Sequence, residues 1–280
     1  MKIEFSAIKN LIIDMDGVLW HGDKPLPGLV AFFETLRRLN IKFVLATNNA
    51  GRTSEEYVAK LLKFGADIHP DEILTSPQAT AIYLAEHKPN ARIYVVGSAS
   101  LAADLRAKHL TLVNETEAQT ANCVVMGGVV GNLVYRQMEE ACLLIRAGAM
   151  FIGTNPDITY PGERGIIPGN GAFLEALRLS TGVSPMIIGK PQTEMMQQAM
   201  HRMGGTPANT VVIGDRLDTD ILGGQNAGLC TIMVTSGIST RTEAETGTIT
   251  PDYIFEGIAE IAAAIISATT SHSRSTSTVS

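Results

Sequence analysis

Long apolar runs are missing from this 280-residue chain. The longest uncharged stretch, Ala118 to Tyr135, is broken by Asn and Gly and falls short of the roughly 20 apolar residues a membrane-crossing helix needs. The amino terminus, MKIEFSAIKN, carries Glu4 and Lys9 where a secretory signal would place its apolar segment. A soluble, cytoplasmic protein with no membrane partner is therefore expected. Cysteine is scarce as well. Cys123, Cys142 and Cys230 sit in apolar surroundings without C-x-x-C spacing, which argues against a disulfide framework or a cysteine zinc site. They read as small buried apolar residues in a reducing compartment. Concentrated positive charge is also lacking: Lys and Arg number 22 against 28 Asp and Glu, and the net charge is −6. The basic residues are scattered, so the basic face of a nucleic-acid-polymer binder is absent. Six dispersed histidines show no ligand spacing and read as surface or structural residues.

What is present is an alternation of short β-branched runs with longer amphipathic segments, the pattern of an α/β protein. Strands are expected at 9–13, 41–46, 92–96, 122–126, 150–153, 186–188, 210–214 and 230–234. Helical spacing predicts segments at 28–40, 77–87, 135–147, 171–181, 193–203, 218–227 and 256–267, with Val30, Phe33, Leu36 and Leu39 on one face of the first. A further helix opens on the capping-box sequence Thr53-Ser54-Glu55-Glu56 and ends before Gly65. The glycine-rich MGGVVG at 126–131 lacks the dinucleotide fingerprint and reads as a strand end and turn. The small, polar stretch from Thr269 to Ser280 is expected to be disordered.

Four of these apolar strands are followed at once by polar residues. LIIDMDG supplies Asp14 and Asp16, FVLATNN supplies Thr47, Asn48 and Asn49, MIIGKP supplies Lys190, and VVIGDRLDTD supplies Asp215, Asp218 and Asp220. Open parallel sheets bind ligands at the carboxyl ends of their strands, so such residues can converge from distant parts of the chain. Several carboxylates in one cleft repel each other unless a cation intervenes. An all-oxygen donor set without His or Cys favours a hard ion such as Mg²⁺. A lysine and a hydroxyl beside it suit a bound phosphate. One carboxylate can then act as nucleophile and a second, two residues on, can move protons. Asp218 also has a local reading, as the N-cap of the helix that follows it. Trp20, just after DMDG, either walls the site or packs as an ordinary core residue.

DMDG, TNN, GKP and GDRLDTD, in this order, resemble the four motifs of the haloacid dehalogenase (HAD) superfamily of phosphohydrolases. TNPD at Thr154–Asp157 and PGNGA at Pro168–Ala172 resemble its subfamily IIA, the NagD-like and para-nitrophenyl-phosphatase-like branch. The resemblance implies a Rossmann-like, doubly wound parallel sheet interrupted by an inserted α/β cap of the C2 type. It implies a nucleophilic, Mg²⁺-binding Asp14 and an acid/base Asp16 that lends the metal its backbone carbonyl. Thr47 and Asn48 would hold the phosphate, the latter through its backbone N–H, and Lys190 would neutralise charge on nucleophile and phosphoryl group. Asp215 would ligate Mg²⁺ directly and Asp220 through water or from behind the ligands. Asp16 also separates this chain from relatives with Thr or a small residue there, which favours ester hydrolysis.

The segment between Thr47 and Lys190 is far longer than one crossover connection requires. A core of residues 1–79 and 184–268 with a cap at 80–183 is expected. Thr154, Asn155 and Asp157, polar groups just after a cap strand, are the candidates for substrate selection. The resulting expectation is a Mg²⁺-dependent phosphatase of small phosphomonoesters: nucleoside monophosphates, sugar phosphates, phosphoglycolate or aryl phosphates. A phosphotransferase or mutase, and a phosphate-ligand sensor without turnover, are the alternatives. By analogy with the branch, two copies would pair as a homodimer.

Overall fold

The computed structural model of the chain describes residues 2–129, 133–162 and 164–276. Along the sequence, β1 (Asn10–Ile13) leads into a hairpin of β2 (Trp20–His21) and β3 (Lys24–Pro25). Next come α1 (Leu29–Arg38), β4 (Lys42–Thr47), α2 (Ser54–Lys63) and β5 (Ile73–Thr75). The middle of the chain runs α3 (Ser76–His87), β6 (Arg92–Gly97), α4 (Ala99–Ala107), β7 (Thr111–Val113), β8 (Cys123–Gly127), α5 (Tyr135–Arg146) and β9 (Met150–Gly153). It continues through β10 (Thr159–Gly162), β11 (Gly165–Pro168), α6 (Asn170–Thr181) and β12 (Met186–Ile187). The last part holds α7 (Thr193–Met203), β13 (Thr210–Gly214), α8 (Leu222–Asn226), β14 (Cys230–Val234), α9 (Arg241–Thr246), β15 (Tyr253–Phe255) and α10 (Ile258–Thr276).

Two compact units result. The first comprises Met1–Ala46, Ser54–Leu74 and Pro191–Ser280; the second comprises Thr47–Thr53 and Thr75–Lys190. The first unit is organised on a six-stranded sheet in the order β15-β14-β13-β1-β4-β5. β1 pairs in parallel with β4 on one side and β13 on the other, so the strand order reverses at the strand that ends beside Asp14. In β1, β13 and β14 every residue is buried. That is the pattern of a parallel sheet covered on both faces. Its core includes Leu11, Ile13, Phe32, Leu36, Phe43, Leu45, Ile213 and Ile232, each side chain worth about 1.5–3 kcal/mol on burial.

The second unit has a five-stranded parallel sheet, β12-β9-β8-β6-β7, a separate β10–β11 hairpin, and its own core around Tyr94, Val124, Met126, Phe151, Leu174 and Leu177. β12, which follows the expected boundary at 183, pairs with β9 and so belongs to this sheet. Its edge therefore carries the second unit on to Lys190.

Several local expectations are adjusted. The buried face of α1 is Leu29, Phe32, Phe33 and Leu36, while Val30 is exposed. α2 ends in a Schellman turn, with Gly65 at φ +86°, its N–H bonded to Leu62 O and that of Ala66 to Leu61 O. MGGVVG closes β8 at Gly127 and turns at Gly128, φ +66°; residues 130 and 131 lie outside the described residues. α10 continues through Thr276, past the point where disorder is expected, and the hydroxyls of Thr269 and Thr270 donate to the carbonyls of Ile265 and Ile266 within it. Those bonds satisfy polar side chains inside the helix. Residues 277–280 lie outside the described residues.

Candidate active site

The end of β1 is held level with the end of β13. Ile13 pairs with Ile213, and Asp14 N–H donates to Ile213 O at 2.9 Å. Asp14 and Asp215, each the first residue past a fully buried strand, therefore share one edge of the sheet. Beyond Asp215 the chain enters a π-helical turn, Leu217–Ile221, that brings Asp220 back: its Oδ2 accepts from Arg216 N–H at 3.2 Å. Gly214 permits this, because a Cβ there would stand 2.1 Å from Asp220 Cβ. Asp14, Asp215 and Asp220 each offer a carboxylate oxygen within 4.8 Å of the others. Asp215 and Asp220 are buried and Asp14 partly so. Carboxylates packed this closely repel one another, and hard oxygen donors of this kind suit an ion such as Mg²⁺.

Asp16 is exposed, two residues beyond Asp14. Between them and β2 the chain makes one tight turn, with Leu19 N–H on Met15 O and Gly17 N–H on Trp20 O. Gly17 has φ +84°, and a side chain there would strike Asp215 Oδ2 at 2.4 Å. Both the left-handed backbone and the close approach demand glycine. Asp218 takes no part in the carboxylate cluster and caps no helix. It is exposed and makes a two-point ion pair with Arg216. The N-cap reading fails because a π-helical turn, not a regular α-helical start, follows β13.

Sequence reasoning passed over a fifth polar segment after a strand, TSGIS following β14. Ile238 N–H donates to Asp215 Oδ2 at 2.8 Å, Ser239 N–H donates to Asp215 O, and Ser236 Oγ donates to Gly17 O. A Cβ on Gly237 would lie 1.9 Å from Asp215 Oδ2. This loop thus wraps the aspartate and orients it. The signal was available, since the segment has the same polar-after-apolar pattern as the four motifs.

The second unit contains another group of the expected residues. Thr47 closes β4, is buried, and accepts Asn49 N–H on its hydroxyl at 3.1 Å. The Asn48 amide pairs with the Lys190 backbone: Nδ2 donates to Lys190 O and Oδ1 accepts Lys190 N–H, both at 2.9 Å. The Asn48 carbonyl accepts Ser76 Oγ–H at 2.7 Å and Asn155 Nδ2–H at 2.8 Å. Gly189 fits beside this pair only without a side chain, as a Cβ would lie 2.5 Å from Asn48 Oδ1. Thr154 and Asn155 are buried. Asn155 Oδ1 accepts Asp157 N–H, and its backbone O accepts Asn170 Nδ2–H, so the TNPD loop is tied to the start of α6. Asp157 is half-buried, its Oδ1 3.5 Å from Asn48 Nδ2. Ser76 and Asn170 were not legible as members of this network, because each is an ordinary helix-start residue in sequence.

Residues 11–111 match the family described as haloacid dehalogenase-like hydrolase, and residues 187–261 match one described as HAD-hydrolase-like. The chain belongs to the haloacid dehalogenase-like hydrolases. An acid sugar phosphatase of Staphylococcus epidermidis is 36% identical over 247 residues, covering 88% of this chain and 94% of the relative. The crystal structure of a 4-nitrophenylphosphatase from Thermotoga maritima superposes with a TM-score of 0.88 at 32% identity, over 94% of this chain and 100% of that one. A glycerol phosphate phosphatase from Mycobacterium tuberculosis, solved in complex with magnesium, gives 0.84 at 35% identity, over 93% of this chain and 78% of that one. All three relatives are named phosphatases, which agrees with the reaction class read from the motifs, phosphoric monoester hydrolysis. The α/β fold with parallel sheets agrees with the same reading. No helix among the described residues is long and apolar enough to cross a membrane.

Proposed function

We propose that this chain is a Mg²⁺-dependent phosphatase of small phosphomonoesters. The observation that carries the reading is the close grouping of Asp14 and Asp215, just past the paired strands β1 and β13, with Asp220 from the turn that follows. The three carboxylates would hold the ion, with the Asp16 backbone carbonyl adding to the set. When bound, the ion supplies charge neutralisation for a dianionic substrate and a fixed geometry for attack.

Asp14 is the nucleophile. Its carboxylate oxygen attacks phosphorus, the P–O bond to the alcohol breaks, and the leaving oxygen takes a proton from Asp16. Asp16, now ionised, removes a proton from water as that water attacks the aspartyl-phosphate. Phosphate is released and Asp14 is regenerated. The Thr47 hydroxyl and Asn48 N–H bind phosphoryl oxygens, and Lys190 balances their charge. Asp157 is the best candidate for a contact with the alcohol portion, because Thr154 and Asn155 are buried. The related phosphatases act, by name, on sugar, nitrophenyl and glycerol phosphates, which supports a small polar or aromatic alcohol here. Three free cysteines support a reducing, cytoplasmic setting.

The test is phosphate release from 4-nitrophenyl phosphate with Mg²⁺, by the native chain and by Asp14→Asn. Activity in the native chain and none in the folded variant is expected. Full activity in the variant, or undiminished turnover in EDTA, would overturn the mechanism. A panel of phosphorylated metabolites ranked by kcat/KM then identifies the substrate class. Phosphate appearing on an added alcohol in place of free phosphate would instead make the chain a transferase.

A further inference from the structure

Trp20 is completely buried, yet its indole N–H reaches a carboxylate that is exposed. Nε1 donates to Asp16 Oδ1 at 2.7 Å. The ring is fixed on several sides. It stacks on Tyr57, with centroids 6.3 Å apart and planes 25° apart, and lies 6.0 Å from the Phe64 ring. The Lys60 ammonium stands 4.3 Å from its centroid. The backbone is held as well, by Gly17 N–H on Trp20 O and by pairing of Trp20 with Pro25 across the β2–β3 hairpin. A buried indole N–H needs an acceptor, but any nearby carbonyl would satisfy that need. Here the acceptor is the side chain two residues after the nucleophile.

We propose that Trp20 is a positioning residue that sets which oxygen of Asp16 handles the proton; this rests on the acid/base role given to Asp16 above. The indole nitrogen can only donate, so Oδ1 remains an acceptor whether Asp16 is ionised or neutral. A carbonyl-type oxygen is the better acceptor for that N–H, which leaves Oδ2 as the oxygen favoured to exchange the proton. Tying Oδ1 to a rigid, buried ring also fixes the torsion of the carboxyl group and so the direction in which Oδ2 points. A freely rotating carboxyl would present its proton to the leaving oxygen for only part of the time. General acid/base catalysis contributes about 10²–10⁴-fold, and orientation carries a share of it.

The test uses aryl phosphates whose phenols differ in acidity: 4-nitrophenyl, phenyl and 4-methylphenyl phosphate. Nitrophenolate leaves with little need of a proton, whereas methylphenolate needs one. Trp20→Phe removes the N–H. Replacing Trp20 with 3-benzothienylalanine removes it while keeping the ring outline, should phenylalanine disturb folding. In either variant kcat/KM for 4-nitrophenyl phosphate is expected to stay within about threefold, and that for 4-methylphenyl phosphate to fall about 10- to 100-fold. Asp16→Asn, whose turnover also falls on every ester because the second step loses its base, should show the same leaving-group discrimination in kcat/KM, and adding Trp20→Phe to it should not change that ratio further. An equal loss on all three esters, or losses that multiply in the double variant, would overturn the role of Trp20. If Asp16→Asn discriminates and the Trp20 variants do not, the Trp20 inference alone fails. If Asp16→Asn fails to discriminate, the acid/base reading of Asp16 falls and takes this inference with it.

Discussion

The Asn48 side chain holds the Lys190 backbone as a neighbouring β-strand would, donating to its carbonyl and accepting from its N–H at 2.9 Å each. Although the two residues are far apart in sequence, this pair ties the loop after β4 to the lysine. Asn48→Ala would leave a buried N–H and C=O without their partner, at a cost of about 1–3 kcal/mol each. A lower midpoint of thermal unfolding is expected, together with a drop of about 10- to 100-fold in kcat/KM on 4-nitrophenyl phosphate from a displaced Lys190. Asn48→Asp keeps the acceptor for Lys190 N–H but loses the donor, and should fall between the two.

Gly237 lies against Asp215, and Gly237→Ala would place a methyl group 1.9 Å from Asp215 Oδ2. Either the aspartate or the 235–239 loop must move. Groups that orient a metal ligand typically matter 10- to 100-fold in metal affinity. The Mg²⁺ concentration giving half-maximal activity should rise by about that factor, with maximal kcat recovered in part at saturating Mg²⁺. A titration of activity against Mg²⁺ reads this directly, and an unchanged midpoint would exclude an orienting role for the loop.

Removal of the ion offers a second measurement. Close carboxylates repel when nothing neutralises them, so Asp14, Asp215 and Asp220 should destabilise the ion-free protein. Mg²⁺ is expected to raise the thermal unfolding midpoint in the native chain, by mass action. Asp215→Asn should blunt that rise while itself stabilising, or leaving unchanged, the ion-free form. Differential scanning calorimetry with and without EDTA checks both halves.

The thiols give a test of burial independent of catalysis. Desolvation pushes the Cys123 thiol up to about 12, and burial raises that of Cys230 as well. Thiolate is the reacting form, so both should resist iodoacetamide at pH 8 in the native protein. Cys142 is only partly buried and should label first. Mass spectrometry of the alkylated peptides, before and after denaturation, distinguishes the three.

Much of this molecule was written in local sequence. Strands β1, β13 and β14 were recognisable because a fully covered parallel strand is a short apolar run. Asp14 and Asp215 stood out as candidates because each directly follows such a run. The Gly65 stop of α2 was legible because only a left-handed residue closes that turn cheaply. Short edge elements such as β2, β3, β7 and β15 were not legible: two or three residues carry no period.

Tertiary structure decided what those residues touch. No spacing rule predicts that an asparagine after β4 will clasp Lys190, that the backbone of Ile238 will hold Asp215, or that β12 will complete the second sheet and not the first. Nor could the sequence choose between the two readings of Trp20, whose buried ring belongs to the core while its N–H serves Asp16. The division has a physical cause. Hydrophobic periodicity and turn chemistry act between near neighbours and are visible along the chain. Hydrogen bonds that aim a functional group depend on distances of a few ångström between segments, and only the folded backbone sets those.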